Sequence, residues 1–137
     1  MSKQITIDIV SDTVCPWCFV GKRRLEAALA RLPEDFEVLV AWRPFQLNPD
    51  LPKEGADRRQ HLERKFGGKD GAKRVYDAIN QAGDSVNIPF AFKDIDRQPN
   101  TVDSHRLIDR AGQLGKQDAV VEALFKAYFL DGRDIGN

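Results

Sequence analysis

Cysteine is scarce in this chain of 137 residues: Cys15 and Cys18 are the only two. A scaffold stapled by several disulfides therefore does not fit. Histidine is as scarce, with His61 and His105 alone, and these two are not in a paired ligand spacing. A closed zinc site would have to recruit both of them beside the cysteines. Net charge is absent, since 21 basic residues balance 21 acidic ones. That balance argues against a nucleic-acid protein that works by charge neutralisation. No apolar run approaches the length needed to span a bilayer, so no membrane partner is expected. No internal repeat or low-complexity segment occurs, and Gly67-Gly68-Lys69-Asp70-Gly71 lacks the spacing of a phosphate loop. The N-terminus, Met1-Ser2-Lys3-Gln4, runs into a strand pattern without a basic, apolar and small-residue leader. A cytoplasmic location is the expectation from that pattern, and thiols there stay mostly reduced.

What remains is an ordinary soluble composition, 42% hydrophobic and 31% charged, of a length that suits one domain. Residues 4–11 alternate, with Ile5, Ile7 and Ile9 on one side and Thr6, Asp8 and Val10 on the other. This β-branched run predicts a strand. From Cys18 the period becomes helical: Leu25, Ala28, Leu29 and Leu32 form a stripe, Lys22, Arg23, Glu26 and Arg31 take other faces, and Pro33 stops the helix. Residues 36–45 predict a second strand, which makes a right-handed βαβ unit with parallel strands. Pro44, Pro49 and Pro52 then punctuate a loop. Asp57 with Gln60 resembles a capping box before a helix to about Phe66. Further helices carry Ala72, Val75, Tyr76 and Ile79; Leu107, Ile108, Ala111 and Leu114 behind Asn100 or Thr101; and Val120, Ala123, Leu124, Ala127 and Tyr128. Residues 86–92 are ambiguous, because Ile88, Phe90 and Phe92 alternate while Pro89 weakens a strand.

The chemistry centres on Cys15-Pro16-Trp17-Cys18, at the strand-to-helix junction. Disulfide exchange needs one thiolate to attack and a second thiol close enough to resolve the mixed disulfide. A helix N-terminus favours the thiolate at Cys15, with Cys18 one turn further in. Pro16 suits a first helical turn, where its missing N–H costs nothing. Trp17 offers an aromatic surface to a client. No histidine separates the cysteines, so a weaker oxidant is expected, with Lys22 and Arg23 partly compensating. Two other readings stand beside this one: a zinc half-site, and a pair of inert cysteines at a tight turn. Trp42, Phe45, Phe90 and Phe92 are expected in the core. Asp8 and Asp12 are expected as solvated strand-end acids, although a carboxylate near the pair can also shuttle protons.

Ser11-Asp12-Thr13-Val14-Cys15-Pro16-Trp17-Cys18-Phe19-Val20-Gly21 resembles the active-site signature of DsbA-like thioredoxin-fold proteins, and most of all their FrnE-type branch of dithiol-disulfide isomerases. Trp42-Arg43-Pro44-Phe45-Gln46-Leu47-Asn48-Pro49, Pro99-Asn100-Thr101-Val102-Asp103-Ser104-His105-Arg106-Leu107, and Leu124-Phe125-Lys126-Ala127-Tyr128-Phe129 with Asp131-Gly132-Arg133-Asp134-Ile135 resemble other segments of that branch in the same order. The resemblance implies an α/β fold: a thioredoxin-like βαβ part over residues 1–50 and an all-helical insertion over residues 51–137. It implies Cys15 as nucleophile and Cys18 as resolving thiol. Asn100 and His105 line the substrate cleft on the same reading; the alternative makes Asn100 a helix cap and His105 a surface residue. Protein thiols and disulfides are the implied partners, with no metal or organic cofactor, and glutathione is a possible reductant. The same superfamily holds glutathione-dependent isomerases and transferases, which place a serine where Cys15 stands. In the family a C-terminal ββα half follows the helices and carries a cis-proline loop that faces the cysteines. The sequence reaches Asn137 where that half is expected to begin, so truncation is expected, and with it either association into a homodimer or poor stability. Ile88-Pro89 superficially resembles the cis-proline loop but aligns inside the helical insertion.

Overall fold

The computed structural model describes residues 2–137. The element order is strand β1 (Lys3–Ser11), helix α1 (Pro16–Leu29), β2 (Phe36–Pro44), β3 (Ala56–Asp57), α2 (Arg58–Lys65), α3 (Lys69–Ser85), a 3-10 turn (Phe92–Asp94), β4 (Arg97–Gln98), α4 (Val102–Gln113) and α5 (Gln117–Phe129). β1 and β2 are parallel, in register from Lys3 opposite Phe36 to Ser11 opposite Pro44. β3 and β4 add a short antiparallel ladder that ties the loop after β2 to the approach to α4. The expected βαβ unit and the helices that follow it are present. No helix among the described residues is long and apolar enough to cross a membrane.

Residues 86–92 join neither ladder. α3 closes when the Gly83 carbonyl accepts the Val86 and Ile88 N–H groups at 3.0 and 2.9 Å. The chain then turns at Asn87, in the left-handed region with φ 61°. Any side chain at Gly83 would press on the Phe90 ring, 2.7 Å from a built Cβ. The alternating aromatics here are anchors of a tight return rather than a pleat: Phe90 packs edge-on to Phe19 and Phe129, and Phe92 edge-on to Tyr76. No cis peptide bond occurs among the described residues, and Pro89 is exposed.

One apolar core joins α1, β2 and the helices beyond it. Phe19, fully buried, stacks on Phe125 at 5.0 Å and on Phe129 at 6.0 Å. Trp42 meets Phe125 edge-on from β2, and Tyr128 meets Phe129. Aromatic pairs in these geometries add stabilisation beyond their buried area. Trp42 is thus in the core as expected, and Phe90 and Phe92 pack against it. Phe45 does not: it is 51% exposed, because the strand has ended and its backbone N–H turns back to the Ser11 carbonyl.

The buried face of α1 also differs from the expected stripe. Leu25 and Leu29 are half-buried and Ala28 and Leu32 exposed, while Phe19, Val20 and Lys22 are buried. The helix meets α5 and the loop after α3 through its first turns, so packing follows contact rather than the period of its later half. Lys22 is tolerated there because Glu122 at 2.8 Å, Glu26 at 3.3 Å and Asp118 at 3.4 Å surround its ammonium. Burial works against that charge, but Glu122 and its neighbours outweigh it and hold Lys22 above its ordinary value.

Candidate active site

Between β1 and α1 lies a tight turn in which the Cys15 N–H donates to the Asp12 carbonyl at 3.1 Å. Cys15 is then the N-cap of α1, with extended φ and ψ and no side-chain cap, and Pro16 opens the helix. The first turn of α1 holds no acidic residue. Its free N–H groups and the positive end of its dipole are therefore left to the sulfur beside them. The Cys18 N–H closes back on the Cys15 carbonyl at 3.1 Å. Both cysteines are free thiols and half-buried; Cys18 packs against the apolar core, and Trp17 between them is 47% exposed.

The two sulfurs do not ionise alike. The hydrogen bond from Cys15 is the main influence on Cys18, and against the cost of burial it brings that thiol down to about 6, helped by the Ser11 hydroxyl and the Asp12 backbone. The same sulfur-to-sulfur bond pushes the Cys15 thiol up, with burial and the Cys18 charge adding to it. The first proton thus leaves the pair easily and the second is held. The sequence put the favoured thiolate at Cys15 by the helix end alone; the structure places the more easily ionised thiol at Cys18, because Ser11 and the Asp12 backbone add to the bond from Cys15 there.

Lys22 and Arg23 do not serve as the free cations expected to favour the thiolate. Lys22 faces its carboxylates on α5 and α1, and Arg23 forms an ion pair with Glu122, so their charge is answered away from the sulfurs. Asp8 behaves as expected, exposed and paired with Arg43 at 3.3 Å. Asp12 does not: it is 2% exposed. Its Oδ1 accepts the Thr13 N–H at 2.9 Å and its Oδ2 the Leu47 N–H at 2.8 Å. A buried carboxylate persists when its lone pairs are answered this way. Here it binds the turn to the loop after β2.

His105 reaches Asp12 from α4, with Nε2 at 3.0 Å from Oδ1, and its side chain is only 10% exposed. It also lines an open groove with Pro44, Gln46, Val102, Arg106 and Arg110. Asn100 is held elsewhere. Its amide donates to the Leu51 carbonyl at 2.8 Å and its oxygen accepts the Val102 N–H at 3.0 Å, so it secures the start of α4 against the loop. Sequence reasoning missed Ser11 and the Thr13–Ser104 contact at 2.8 Å, which ties the turn to α4. Hydroxyls so far apart in sequence give no local signal of meeting. Among the described residues no group of three or more His, Cys, Asp or Glu is arranged to hold a metal ion.

Comparison with known proteins places these features in a family. A DSBA-like thioredoxin domain matches residues 6–137. YwbO, an uncharacterised protein of Bacillus subtilis, is 25% identical over 133 residues, covering 97% of this chain and 60% of YwbO. The crystal structure of a probable DsbA oxidoreductase from Streptomyces coelicolor matches with a TM-score of 0.85 and 31% identity, covering 96% of this chain and 57% of that one. The chain therefore spans less than two thirds of the length of these relatives. The match runs through the β1–α1 turn that carries Cys15 and Cys18 as well as the helices packed against it, and the chain belongs to the DSBA-like thioredoxin domain family.

Proposed function

We propose that this protein is a thiol-disulfide oxidoreductase that works through Cys15 and Cys18. The observation that carries the reading is a pair of free, half-buried cysteines at the N-cap and in the first turn of α1, where the influence of Cys15 brings the Cys18 thiol down to about 6. Near neutral pH such a pair holds one thiolate and one thiol, the arrangement that exchange needs. Cys15, the N-cap, attacks a client disulfide; one client sulfur leaves as a thiolate and takes up a proton. Cys18 then attacks the Cys15–client bond, expelling the second client thiol and leaving Cys15 and Cys18 as a disulfide. The client disulfide is reduced by two electrons and the cysteine pair oxidised by two. Run backwards, the steps oxidise a client, and alternated they isomerise one, as in the FrnE-type branch.

Protein disulfides are the proposed clients and glutathione the proposed reductant. The exposed apolar side chains of Trp17, Phe45 and Leu47 support recognition of unfolded chains. Insulin reduction and mixed-disulfide trapping test the reading. Cys15→Ser is expected to fall to background, and Cys18→Ser to accumulate a covalent client adduct that dithiothreitol releases. Full activity in Cys15→Ser overturns the mechanism. Turnover of a small electrophile with glutathione that survives loss of Cys18 replaces it with the glutathione-dependent reading.

A further inference from the structure

A polar bridge links the cysteine turn to α4, and disulfide exchange as described above does not use it. The Asp12 carboxylate receives its third N–H from His105. The same His105 Nε2 lies 3.0 Å from the Phe45 carbonyl oxygen. Both partners are acceptors, so Nε2 carries a proton and Nδ1 is where the ring gains or loses one. The neighbouring residue fixes the helix to the turn. The Ser104 hydroxyl donates to the Thr101 carbonyl at 2.8 Å, which leaves Thr13 as the donor in the Thr13–Ser104 bond. The Asp12 carbonyl in turn accepts from Cys15, so the residue that meets His105 also shapes the turn that presents the sulfur. The Asp12 charge opposes thiolate formation at both cysteines.

We infer that His105 is a positioning residue for the cysteine pair: it steadies the Asp12 carboxylate and, on taking a proton at Nδ1, cancels that charge beside the sulfurs, so that the nucleophilicity of the pair follows the protonation of a side chain on α4. Its meaning for catalysis rests on the redox reading above, but the coupling is a property of the sulfurs themselves. Other charges around the ring are already engaged or face outward. Arg43 of β2 shares the crevice below His105 and pairs with Asp8. On α4, Arg106 pairs with Asp103 at 3.3 Å, while Asp109 and Arg110 line the outer groove. Among the described residues Asp12 is the one carboxylate in ion-pair contact with the ring.

The test is the rate of iodoacetamide alkylation of the reduced protein from about pH 5 to pH 8. His105→Gln keeps an N–H donor for Asp12 but takes up no proton. It is expected to react about threefold slower than the wild type at the acid end, corresponding to about half a pKa unit, and to converge with it at the alkaline end. Asp12→Asn removes the charge to be cancelled and is expected to erase the difference. Superimposable profiles for wild type and His105→Gln overturn the inference, and so does a deficit of equal size at every pH, which marks a purely structural role. Should the variants fail to fold by circular dichroism, NMR of the wild type decides: the Cys15 and Cys18 Cβ shifts must move with the His105 titration, and their independence from it overturns the coupling. Coupled alkylation without insulin reduction would retain this inference and remove the redox reading instead.

Discussion

Glu122 gathers the Lys22 ammonium at 2.8 Å and the Arg23 guanidinium on one carboxylate, with its side chain 20% exposed. The Arg23 hydrogen bonds, aided by Lys22, hold its carboxyl at about 2, well below the 4.5 of a free glutamate. A depressed folded value stabilises the fold above the unfolded value and ceases to do so as pH falls through the folded one. The contribution is thus complete above about pH 4.5 and is lost toward about pH 2. Glu122→Gln is expected to lower stability near neutral pH and to flatten the acid limb of a urea-denaturation profile. A variant whose acid limb matches the wild type would remove Glu122 from this role. Asp12 shows the other side of burial: its carboxylate is held out of water by contacts with Thr13, Leu47 and His105. Neither setting could be read from residue type, since a lysine and an aspartate are both expected in water.

At the scale of elements, local signals were the most reliable. The Asp57 side chain accepts the Gln60 N–H at 2.9 Å, as the capping pattern implied, and α2 begins at Arg58. α2 has eight residues and an almost wholly polar sequence, so its cap matters more than it would in a long amphipathic helix. Asp57→Ala is expected to cost about 1 kcal/mol and to speed amide exchange through residues 58–61 first. Unchanged exchange in that turn would show that the β3–β4 ladder, not the cap, sets the helix start. α1 began earlier than its apolar period suggested, because Pro16 and the N-cap geometry of Cys15 define the start irrespective of which later residues are apolar. Residues 86–92 were ambiguous for a related reason: alternation of aromatics counts as a strand only where a partner strand exists, and here a positive-φ Asn87 and the close approach at Gly83 turn the chain away.

For the whole molecule the organising contact is Phe19 on Phe125 and Phe129. It lies one residue beyond Cys18, so the core that holds the helices together also sets the position of α1 under the cysteines. Phe19→Ala is expected to cost about 3–5 kcal/mol, with a matching fall in Tm. A loss below about 1 kcal/mol would mean that the aromatic cluster repacks without it. Val10 and Leu39, 63% and 47% exposed, lie on the side of the β1–β2 pair away from this core. Parallel strands are commonly covered on both faces, so that side is the less protected part of the fold.

The order of strand and helices, the Cys15–Cys18 pair at a helix start and the Asp57 cap were all determined by the sequence itself, because each rests on neighbours within one or two turns. The family signature over residues 11–21 belongs with them, being a contiguous string. Tertiary structure alone decided that Phe45 stays in water and that Lys22 and Asp12 leave it. It also decided that the charge of Arg23 is answered by α5 and that His105 meets the cysteine turn. These depend on groups that are distant along the chain, such as the 93 positions between Asp12 and His105. A buried charge is stable only when such partners arrive together, and their arrival is a property of the packed molecule.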